Sequence, residues 1–389
     1  MKILQVISSF PPAYAYGGPP RSAYQLSTAL VERGHDVTVF ATDAKDANTR
    51  VTGYENPESM DGINVYRFRN VSNRLAWANF PIAPGLALAL RRRVAEFDVV
   101  HIQEFRTMQA AFVHRYATRV GVPYVLQTRG GVPRESKSRQ KRLFDTIFGT
   151  DILRDAECLV ASSDVEAAGY DGVVPNGERV PVEHIPNGVN VSEYSRPVEN
   201  GAFRRKIGLS ERTPLVLFLG RLHPIKNLDL LLRAFAQVRK NGVPDAHLVV
   251  AGPDEGKESG LRESAAELGL SDHVSFPGPL YDETKQQAYT DADVFVLPSR
   301  YESFGNVVVE SLACGTPVVV TENCGVAQWI ADDVGSVVSP TVSTLSDEII
   351  SMINSNHGPK TAQLCQSFAR QFDWESVAED VEDIYNPIV

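Results

Sequence analysis

The chain has 389 residues, of which 43% are hydrophobic and 22% charged, as is typical of folded globular proteins. These values exclude disorder, collagen-like repeats and a simple coiled coil. The net charge is −10, with +2 over residues 1–187 and −12 over 188–389, which argues against non-specific nucleic-acid binding. The four scattered cysteines predict neither a disulfide framework nor a cysteine-based zinc site, and they favour a reducing cytoplasm.

Short apolar runs alternate with amphipathic segments from one end of the chain to the other, a pattern that predicts parallel sheets built from βα units. The first long helix is expected over 21–33, ending at Gly34. The apolar runs near the start and at 81–90 are too short for a membrane span, and no signal peptide is predicted. The predicted strands of the first half are 3–7, 37–41, 99–102, 125–127, 158–161 and 182–185.

The second half repeats this alternation more regularly, with predicted strands at 215–219, 247–251, 274–276, 294–297, 318–320 and 336–338. Residues 186–214 are rich in Pro, Gly, Asn and charge and lack a sustained apolar period, which is typical of a linker. Residues 374–385 show the period of an amphipathic helix. The predicted organisation is a doubly wound α/β domain at 1–187, a linker at 188–213, a second such domain at 214–373, and a C-terminal helix at 374–389 that crosses back to the first domain.

Ligands of open α/β sheets bind beyond the carboxyl ends of the strands, so the loops after predicted strands are the places to search. The loop at 220–227 reads GRLHPIKN. Gly220 lets the backbone approach a ligand closely, while Arg221 and Lys226 are suited to binding phosphate oxygens. A surface turn with solvated cations is the alternative for this loop taken alone.

The segment 298–310 leads from a predicted strand through Gly305 into a helix. The free N–H groups of that helix start would suit a diphosphate. Glu302 precedes the helix, and Glu310 lies within it, four residues after Asn306 and therefore on the same face. Two carboxylates beside an anion site are explained if they accept hydrogen bonds from the hydroxyls of a transferred sugar and of a ribose. Such a spacing of two glutamates also arises by chance on surface helices.

Taken together, GRLHPIKN, YESFGNVVVE, ACGTPVVVT and the tail WESVAEDVEDIY resemble glycosyltransferase family 4, the group 1 glycosyltransferases. The resemblance is dense over residues 214–340. It implies the GT-B fold, two Rossmann-like domains facing across a cleft, and a retaining hexosyltransferase of class EC 2.4. It also implies a nucleotide-diphosphate sugar donor of UDP or GDP type, with neither metal nor cofactor.

The resemblance also implies a role for each matching residue. Arg221 and Lys226 would neutralise the leaving diphosphate, and Glu302 would hold hydroxyls of the donor sugar. The backbone of Phe304, Gly305 and Asn306 would lie against sugar and phosphate, and Glu310 would hold the ribose. The same resemblance places the first-half pair Gly17 and Gly18 against the donor phosphate and the acceptor; a flexible loop is the alternative for that pair.

Two further first-half residues are catalytic candidates. His101 ends a predicted strand and matches a frequent histidine of the family, although a histidine at a strand end is more often structural. Arg129 stands where many members have a histidine in the acceptor pocket. Because arginine cannot act as a base near neutral pH, the acceptor proton would leave with the departing phosphate or to another group. A second departure, CGVAQ at 324–328, affects the expected contacts to the donor sugar.

The leading hypothesis is a cytoplasmic glycosyltransferase whose acceptor is a glycan or lipid-linked glycan of surface polysaccharide synthesis. Basic clusters at 91–93 and 129–142 suggest peripheral contact with an anionic membrane at the inner face, with solvated helix surfaces as the alternative. A sugar-nucleotide epimerase on the same fold and a catalytically silent donor-binding subunit are the competing hypotheses. A dinucleotide dehydrogenase is disfavoured because no Gly-x-Gly-x-x-Gly follows the relevant strands.

Overall fold

The computed structural model describes residues 1–78, 80–129, 138–171, 173, 180–355 and 358–389. The chain forms two compact units, one comprising Met1–Gly188 together with Trp374–Val389 and the other comprising Val189–Asp373. Among the residues that the structure describes, every helix falls short of the length and apolarity needed to cross a membrane.

The first unit contains an eight-stranded sheet in the order β3-β4-β2-β1-β5-β6-β7-β8, with β3 antiparallel to β4 and all other pairs parallel. Its strands are β1 (Lys2–Val6), β2 (Asp36–Thr42), β3 (Glu58–Met60), β4 (Ile63–Phe68), β5 (Val99–Ile102), β6 (Tyr124–Gln127), β7 (Cys158–Ala161) and β8 (Val182–His184). Its helices are α1 (Gly18–Glu32), α2 (Asn73–Trp77), α3 (Pro84–Arg93), α4 (Met108–Val120), α5 (Ser138–Phe144), α6 (Thr150–Arg154) and α7 (Asp164–Asp171).

Both faces of this sheet are covered at its centre, which explains why strands such as β5 and β7 are largely apolar along their length. Successive side chains of a strand point to opposite faces. Along β1, Leu4 and Val6 accordingly join one buried cluster, while Ile3 joins another.

The second unit is built on a six-stranded, wholly parallel sheet in the order β11-β10-β9-β12-β13-β14. Its strands are β9 (Leu215–Leu219), β10 (His247–Ala251), β11 (Val274–Gly278), β12 (Val294–Leu297), β13 (Val318–Thr321) and β14 (Gly335–Val338). Its helices are α8 (Val191–Tyr194), α9 (Ala202–Lys206), α10 (Leu228–Asn241), α11 (Glu258–Glu267), α12 (Asp282–Asp291), α13 (Asn306–Ala313), α14 (Val342–Asn354) and α15 (Pro359–Ala369). One apolar cluster holds these layers together.

The stretch expected to be a linker, 188–213, is largely structured. It carries α8 and α9, and Phe203 is completely buried in the core of the second unit. The nearly buried guanidinium of Arg204 donates to the backbone oxygen of Asp291 (3.0 Å) and to the carboxylate of Asp293 (2.8 Å). These bonds make the stretch an integral layer of the second unit.

The final helix, α16 (Trp374–Tyr385), belongs to the first unit although it follows the second in the chain. It packs along α1. Its apolar face, with Trp374, Val377, Val381 and Tyr385, is buried in the cluster that contains the strand residues Ile3 and Val37. This burial anchors the C-terminus on the first sheet.

Candidate active site

The strand order of the second sheet reverses between β9 and β12, since β10 lies on one side of β9 and β12 on the other. In open α/β sheets such a reversal leaves a crevice at the carboxyl ends of the strands, where ligands bind. The loops that leave β9 and β12 are 220–227 and 298–305, the two segments singled out from the sequence. Their side chains therefore define the candidate site of this unit.

The loop after β9 rests on the loop after β10. Gly252 has a φ of +147°, and a Cβ atom at this position would lie 1.8 Å from the backbone oxygen of Gly220. Just beyond this contact, the backbone N–H of Leu222 donates to the oxygen of Pro253 (2.9 Å). The close approach of the two backbones requires glycine at position 252.

Backbone and side-chain bonds connect the loops after β9 and β12. The backbone N–H of Arg300 donates to the oxygen of Ile225 (2.8 Å), and its guanidinium Nε donates to Oδ1 of Asn227 (3.1 Å). Asn227 has a φ of +57°, a left-handed conformation that asparagine tolerates better than most residues, and it caps α10. These contacts fix Lys226 against the second loop.

Lys226 and Glu302, predicted from separate motifs, form an ion pair. Their side chains are only 12% and 19% exposed, so solvent screens the interaction weakly. The backbone of Glu302 is held as well, because its N–H donates to Asn323 (3.2 Å) and its oxygen accepts from Gly325 (2.8 Å). The departure from the family pattern at 324–328 thus lies directly against the Glu302 loop.

Arg221 lies apart from this pair. Its side chain is 56% exposed, and Nη1 donates to the carboxylate of Glu255 at 2.8 and 3.0 Å. An exposed ion pair of this kind contributes about 1 kcal/mol or less. The guanidinium can therefore exchange Glu255 for another anion at little cost.

The helix α13 begins beside the Lys226–Glu302 pair. Gly305, with a φ of +105°, precedes its first residue Asn306, and Phe304 is fully buried against Phe372. The left-handed φ explains why glycine stands at the turn. The buried phenyl ring fixes the direction of the helix start, and a helix N-terminus is where anions are commonly bound in proteins.

Glu310, one helical turn further along α13, lies in a second charged cluster. Its Oε2 atom accepts from Nζ of Lys285 (2.6 Å) and from the hydroxyl of Tyr289 (2.8 Å), both on α12. Burial and the negative charge of Glu310 raise the pKa of Tyr289, which keeps its hydroxyl protonated as a donor. The carboxylate is therefore anchored before any ligand arrives.

In the first unit, Gly17 and Gly18 connect a short 3-10 helix, Tyr14–Tyr16, to α1. Gly17 has a φ of +88°, whereas a Cβ atom on either glycine would meet no other atom within 4 Å. The fold needs glycine at position 17 for its backbone conformation. At position 18 no contact within the described part of the chain demands it, which leaves room for a ligand beside the start of α1.

His101 is completely buried on β5, and its Nδ1 lies 2.6 Å from the hydroxyl of Tyr385 on α16. Burial, together with the positive charge of Arg129, lowers the pKa of His101 to about 3. The imidazole is therefore neutral at physiological pH. Gln5 also donates to the Tyr385 hydroxyl (3.5 Å), so this hydroxyl bonds to both Gln5 and His101.

Arg129 lies at the other end of this polar network. Its Nε and Nη2 atoms donate to Oε1 of Gln103 (2.8 and 2.5 Å), and the amide of Gln103 donates to Gln5 (2.5 Å). Burial lowers the pKa of Arg129 to about 10, so the guanidinium remains charged near neutral pH. Of the basic run after Arg129, residues 130–137 lie outside the described residues, while Arg139, Lys141 and Arg142 lie on α5.

Two family models match the chain, and together they span most of it. Residues 17–188 match a glycosyl transferase 4-like domain, and residues 199–372 match the glycosyl transferases group 1. The D-inositol 3-phosphate glycosyltransferase of Geodermatophilus obscurus is 30% identical over 348 residues, which cover 83% of this chain and 74% of that protein. The chain belongs to the group 1 glycosyl transferases.

Solved structures agree with this assignment at the level of fold. Sucrose-phosphate synthase from Thermosynechococcus elongatus aligns over 100% of this chain and 99% of its own, with a TM-score of 0.72 and 22% identity. Anabaena HepE in complex with UDP aligns over 100% of both chains, with a TM-score of 0.74 and 20% identity. The GT-B fold predicted for this glycosyltransferase is confirmed, and these matches give the epimerase hypothesis no support.

The structure also reveals residues near the site of this glycosyltransferase that the sequence motifs did not single out. They are Glu255 beside Arg221, and Lys285 and Tyr289 beside Glu310. A partial signal existed for the latter two, because a spacing of four on a helix places Lys285 and Tyr289 on one face. Over the described parts of the chain, His, Cys, Asp and Glu residues form no group of three or more that could hold a metal ion.

Proposed function

We propose that this glycosyltransferase is a retaining, metal-independent enzyme that transfers a hexose from a UDP- or GDP-sugar to a glycan or lipid-linked glycan of surface polysaccharide synthesis. The observation that carries the proposal is the weakly exposed Lys226–Glu302 pair beside the start of α13. A cation, a carboxylate and a helix N-terminus at one sheet edge match the charges and hydroxyls of a diphosphate-linked sugar.

The binding roles follow from these neighbours. Lys226 binds the diphosphate, and Arg221 adds a second cation when it leaves the exposed carboxylate of Glu255. Glu302 then accepts hydrogen bonds from hydroxyls of the donor sugar, with the backbone of Phe304, Gly305 and Asn306 beside it. Glu310 accepts from the ribose. Gly220 and, in the first unit, Gly17 and Gly18 allow the backbone to approach phosphate or acceptor.

In the proposed reaction, the bond between the anomeric carbon and the diphosphate oxygen breaks while the acceptor oxygen bonds to the same face of the sugar. The acceptor proton passes to the departing diphosphate. Negative charge develops on that diphosphate as the sugar becomes oxocarbenium-like. Fixed cations and the N–H groups of α13 stabilise this state more than the bound substrate, and that difference accelerates the reaction.

The relatives support the choice of donor and the breadth of acceptor. Anabaena HepE has been solved in complex with UDP, which favours a uridine nucleotide here. The relative from Geodermatophilus obscurus is a D-inositol 3-phosphate glycosyltransferase, so a small phosphorylated polyol is a second acceptor class to test.

In the first unit, we assign His101 and Arg129 different roles in acceptor binding. Arg129 presents a guanidinium suited to an anionic or hydroxylated acceptor. The enclosed ring of His101 acts only through its neighbours, as a positioning residue in the network that Tyr385 and Gln5 share with it.

A lipid-linked acceptor would bring this unit close to an anionic membrane. Arg91 and Arg92 are exposed on the last turn of α3, and Leu88 on the same helix is 45% exposed. Arg93 is engaged instead with Glu96 (3.0 Å) and the ring of Tyr66. Sedimentation with phosphatidylglycerol vesicles at low salt tests the contact, and an Arg91→Gln/Arg92→Gln variant that binds them as well as the parent protein would exclude this surface.

The donor is tested by thermal denaturation with a panel of UDP-, GDP-, ADP- and dTDP-sugars, because a ligand that binds only the folded state raises its melting temperature. We expect a selective shift with one UDP- or GDP-sugar, lost in Glu302→Gln and kept in Glu263→Gln, a change at an exposed position of α11. The selected sugar is then offered with glycan and inositol phosphate acceptors. A selective shift without transfer to any acceptor would favour the silent donor-binding subunit, and a sugar epimerised without acceptor would favour an epimerase. No shift with any sugar of the panel would contradict the proposed donor.

A further inference from the structure

We propose that Lys285 is a positioning residue that fixes Glu310 as a selective acceptor for the ribose hydroxyls of the nucleotide. The inference rests on the proposed donor site, in which Glu310 meets the ribose. It adds a residue of α12 that no part of the sequence pattern marked, and it explains how the site would distinguish a ribonucleotide from its deoxy form.

Within the described residues, the ammonium of Lys285 contacts three side chains of this cluster. Its Nζ lies 2.6 Å from Oε2 of Glu310 and donates to the hydroxyl of Tyr194 at 3.1 Å. The ammonium also lies 5.3 Å from the centre of the Tyr194 ring and 5.9 Å from that of Tyr289, within range of a cation–π interaction. Three helices, α8, α12 and α13, thus hold one lysine against one carboxylate.

The Glu310 carboxylate retains the capacity to bind a ligand. The ammonium and the Tyr289 hydroxyl both contact Oε2. An ionised carboxylate offers about four acceptor sites on its two oxygens. Glu310 can therefore accept a further hydroxyl without giving up its anchors.

Stability alone explains this pair poorly. The side chains of Lys285 and Glu310 are only 18% and 13% exposed, so both charges have lost most of their hydration. Replacing such a pair by apolar side chains is often neutral or stabilising, because desolvation offsets the Coulomb attraction. A pair of this kind is better explained by what it orients, and here the oriented group is a glutamate at the carboxyl end of the sheet.

The chemical consequence is selectivity for hydroxyl donors. With Lys285 present, the Glu310 carboxylate is held in one orientation, and its remaining acceptor sites are complementary to a ribose hydroxyl. Without the ammonium, Oε2 of Glu310 loses its charged anchor, and the carboxylate is held less firmly for that hydroxyl. A site built to bind a hydroxyl also loses affinity for a ligand that lacks it, since its polar group is then left unpaired.

The experiment measures calorimetric affinities of the full-length protein for UDP and GDP and for the 2′-deoxy and 3′-deoxy forms of each. For the unmodified protein we expect at least one deoxy form to bind about tenfold more weakly than its parent nucleotide. The discrimination ratio is the Kd of the deoxy nucleotide divided by the Kd of its parent nucleotide. In Lys285→Met the parent nucleotide should lose most of its affinity advantage, so this ratio should fall to about twofold or less. Lys285→Arg keeps the charge, and the logarithm of its ratio should be at least half of that found for the unmodified protein.

Lys240→Met, at an exposed position near the end of α10, is the matched control and should leave the ratio unchanged. If Lys285→Met fails to give the circular dichroism spectrum of the parent, Lys285→Gln takes its place. A loss that is equal for parent and deoxy nucleotides, or no loss, would overturn the role of Lys285 alone. Failure of the unmodified protein to bind either nucleotide would overturn the proposed donor site and this inference with it.

Discussion

The two units place different chemistry at the carboxyl ends of similar parallel sheets. In the second, weakly exposed ion pairs join Lys226 to Glu302 and Lys285 to Glu310. In the first, a chain of hydrogen bonds runs from His101 through Tyr385, Gln5 and Gln103 to Arg129. The second unit therefore presents paired charges, whereas the first presents neutral groups with a single cation, Arg129, at the end of the chain.

This difference matches what each side would bind. A diphosphate that gains charge as it departs requires cations held in a poorly solvated place, where their effect is large. An acceptor hydroxyl requires oriented donors and acceptors, and neutral amide, hydroxyl and imidazole groups supply these with little desolvation cost, leaving Arg129 as the one charged member of the network. The predictions below test whether the transfer rate depends on the charge of Lys226 in the second unit, and whether His101 in the first unit stays neutral.

The largest effect is expected for Lys226→Ala. Removal of this ammonium takes a cation away from the developing charge and leaves the Glu302 carboxylate unpaired beside the diphosphate. We expect kcat to fall about 10²- to 10³-fold, whereas donor affinity should fall less than tenfold. Steady-state rates with the selected sugar, together with calorimetric donor affinities, measure both effects.

Two further variants sharpen this test. Lys240→Ala, on the exposed face of α10, should leave rate and affinity unchanged. Adding Glu302→Gln to Lys226→Ala should give less than the sum of the two single losses, because the unpaired carboxylate is then absent. Equal losses in kcat and affinity for Lys226→Ala would contradict a role specific to the transition state.

The fold was largely predictable because each of its buried strands is a local pattern. All six strands of the second sheet were located, and β9, β10 and β12 had their bounds correct. In the first sheet the predictions omitted β3 (Glu58–Met60) and β4 (Ile63–Phe68). Buried and half-buried residues alternate along β4, and its sequence mixes apolar with polar residues, so it lacks the continuous apolar run by which the other strands were identified.

The site was only partly predictable, since motifs identify residues but not their distant partners. The sequence marked Lys226 and Glu302 separately. They pair across 76 positions because β9 and β12 are adjacent strands of the sheet. Lys285 carried no motif at all, and His101 gave no sign that Tyr385, 284 positions later, would bond to it. Such pairings depend on tertiary packing, which a periodic pattern does not encode.

A second prediction concerns two glycines that serve different purposes. Gly252→Ala places a Cβ atom against the backbone oxygen of Gly220, so the loop that carries Arg221 must shift. We therefore expect the free energy of unfolding to fall by more than about 2 kcal/mol.

In Gly18→Ala, by contrast, the new methyl group meets open space. That variant should melt within about 2 °C of the parent and lose activity, provided a substrate approaches α1. Calorimetric melting and transfer rates separate the two outcomes, and a fully active Gly18→Ala would remove the ligand role from this glycine.

The smallest effect tests the neutrality of the first unit. The folded-state pKa of His101 is about 3, below the value of about 6.5 in an unfolded chain. As the pH falls below about 6.5, the unfolded state binds a proton that the folded state does not, so stability decreases until the pH reaches about 3. Because of this histidine, the free energy of unfolding should therefore be ~2 kcal/mol lower at pH 5 than at pH 7.5.

His101→Gln removes that titration, so its unfolding free energy should depend less steeply on pH than that of the parent protein, whatever its absolute stability. Urea denaturation at pH 7.5 and pH 5, followed by tryptophan fluorescence, measures the difference. His184→Gln, at an exposed position on β8, controls for the loss of an imidazole as such. If the pH dependence of His101→Gln were the same as that of the parent, the imidazole would have to accept a proton in the folded state. The first unit would then hold a charged histidine as well as Arg129, and its contrast with the proposed donor site would be weakened.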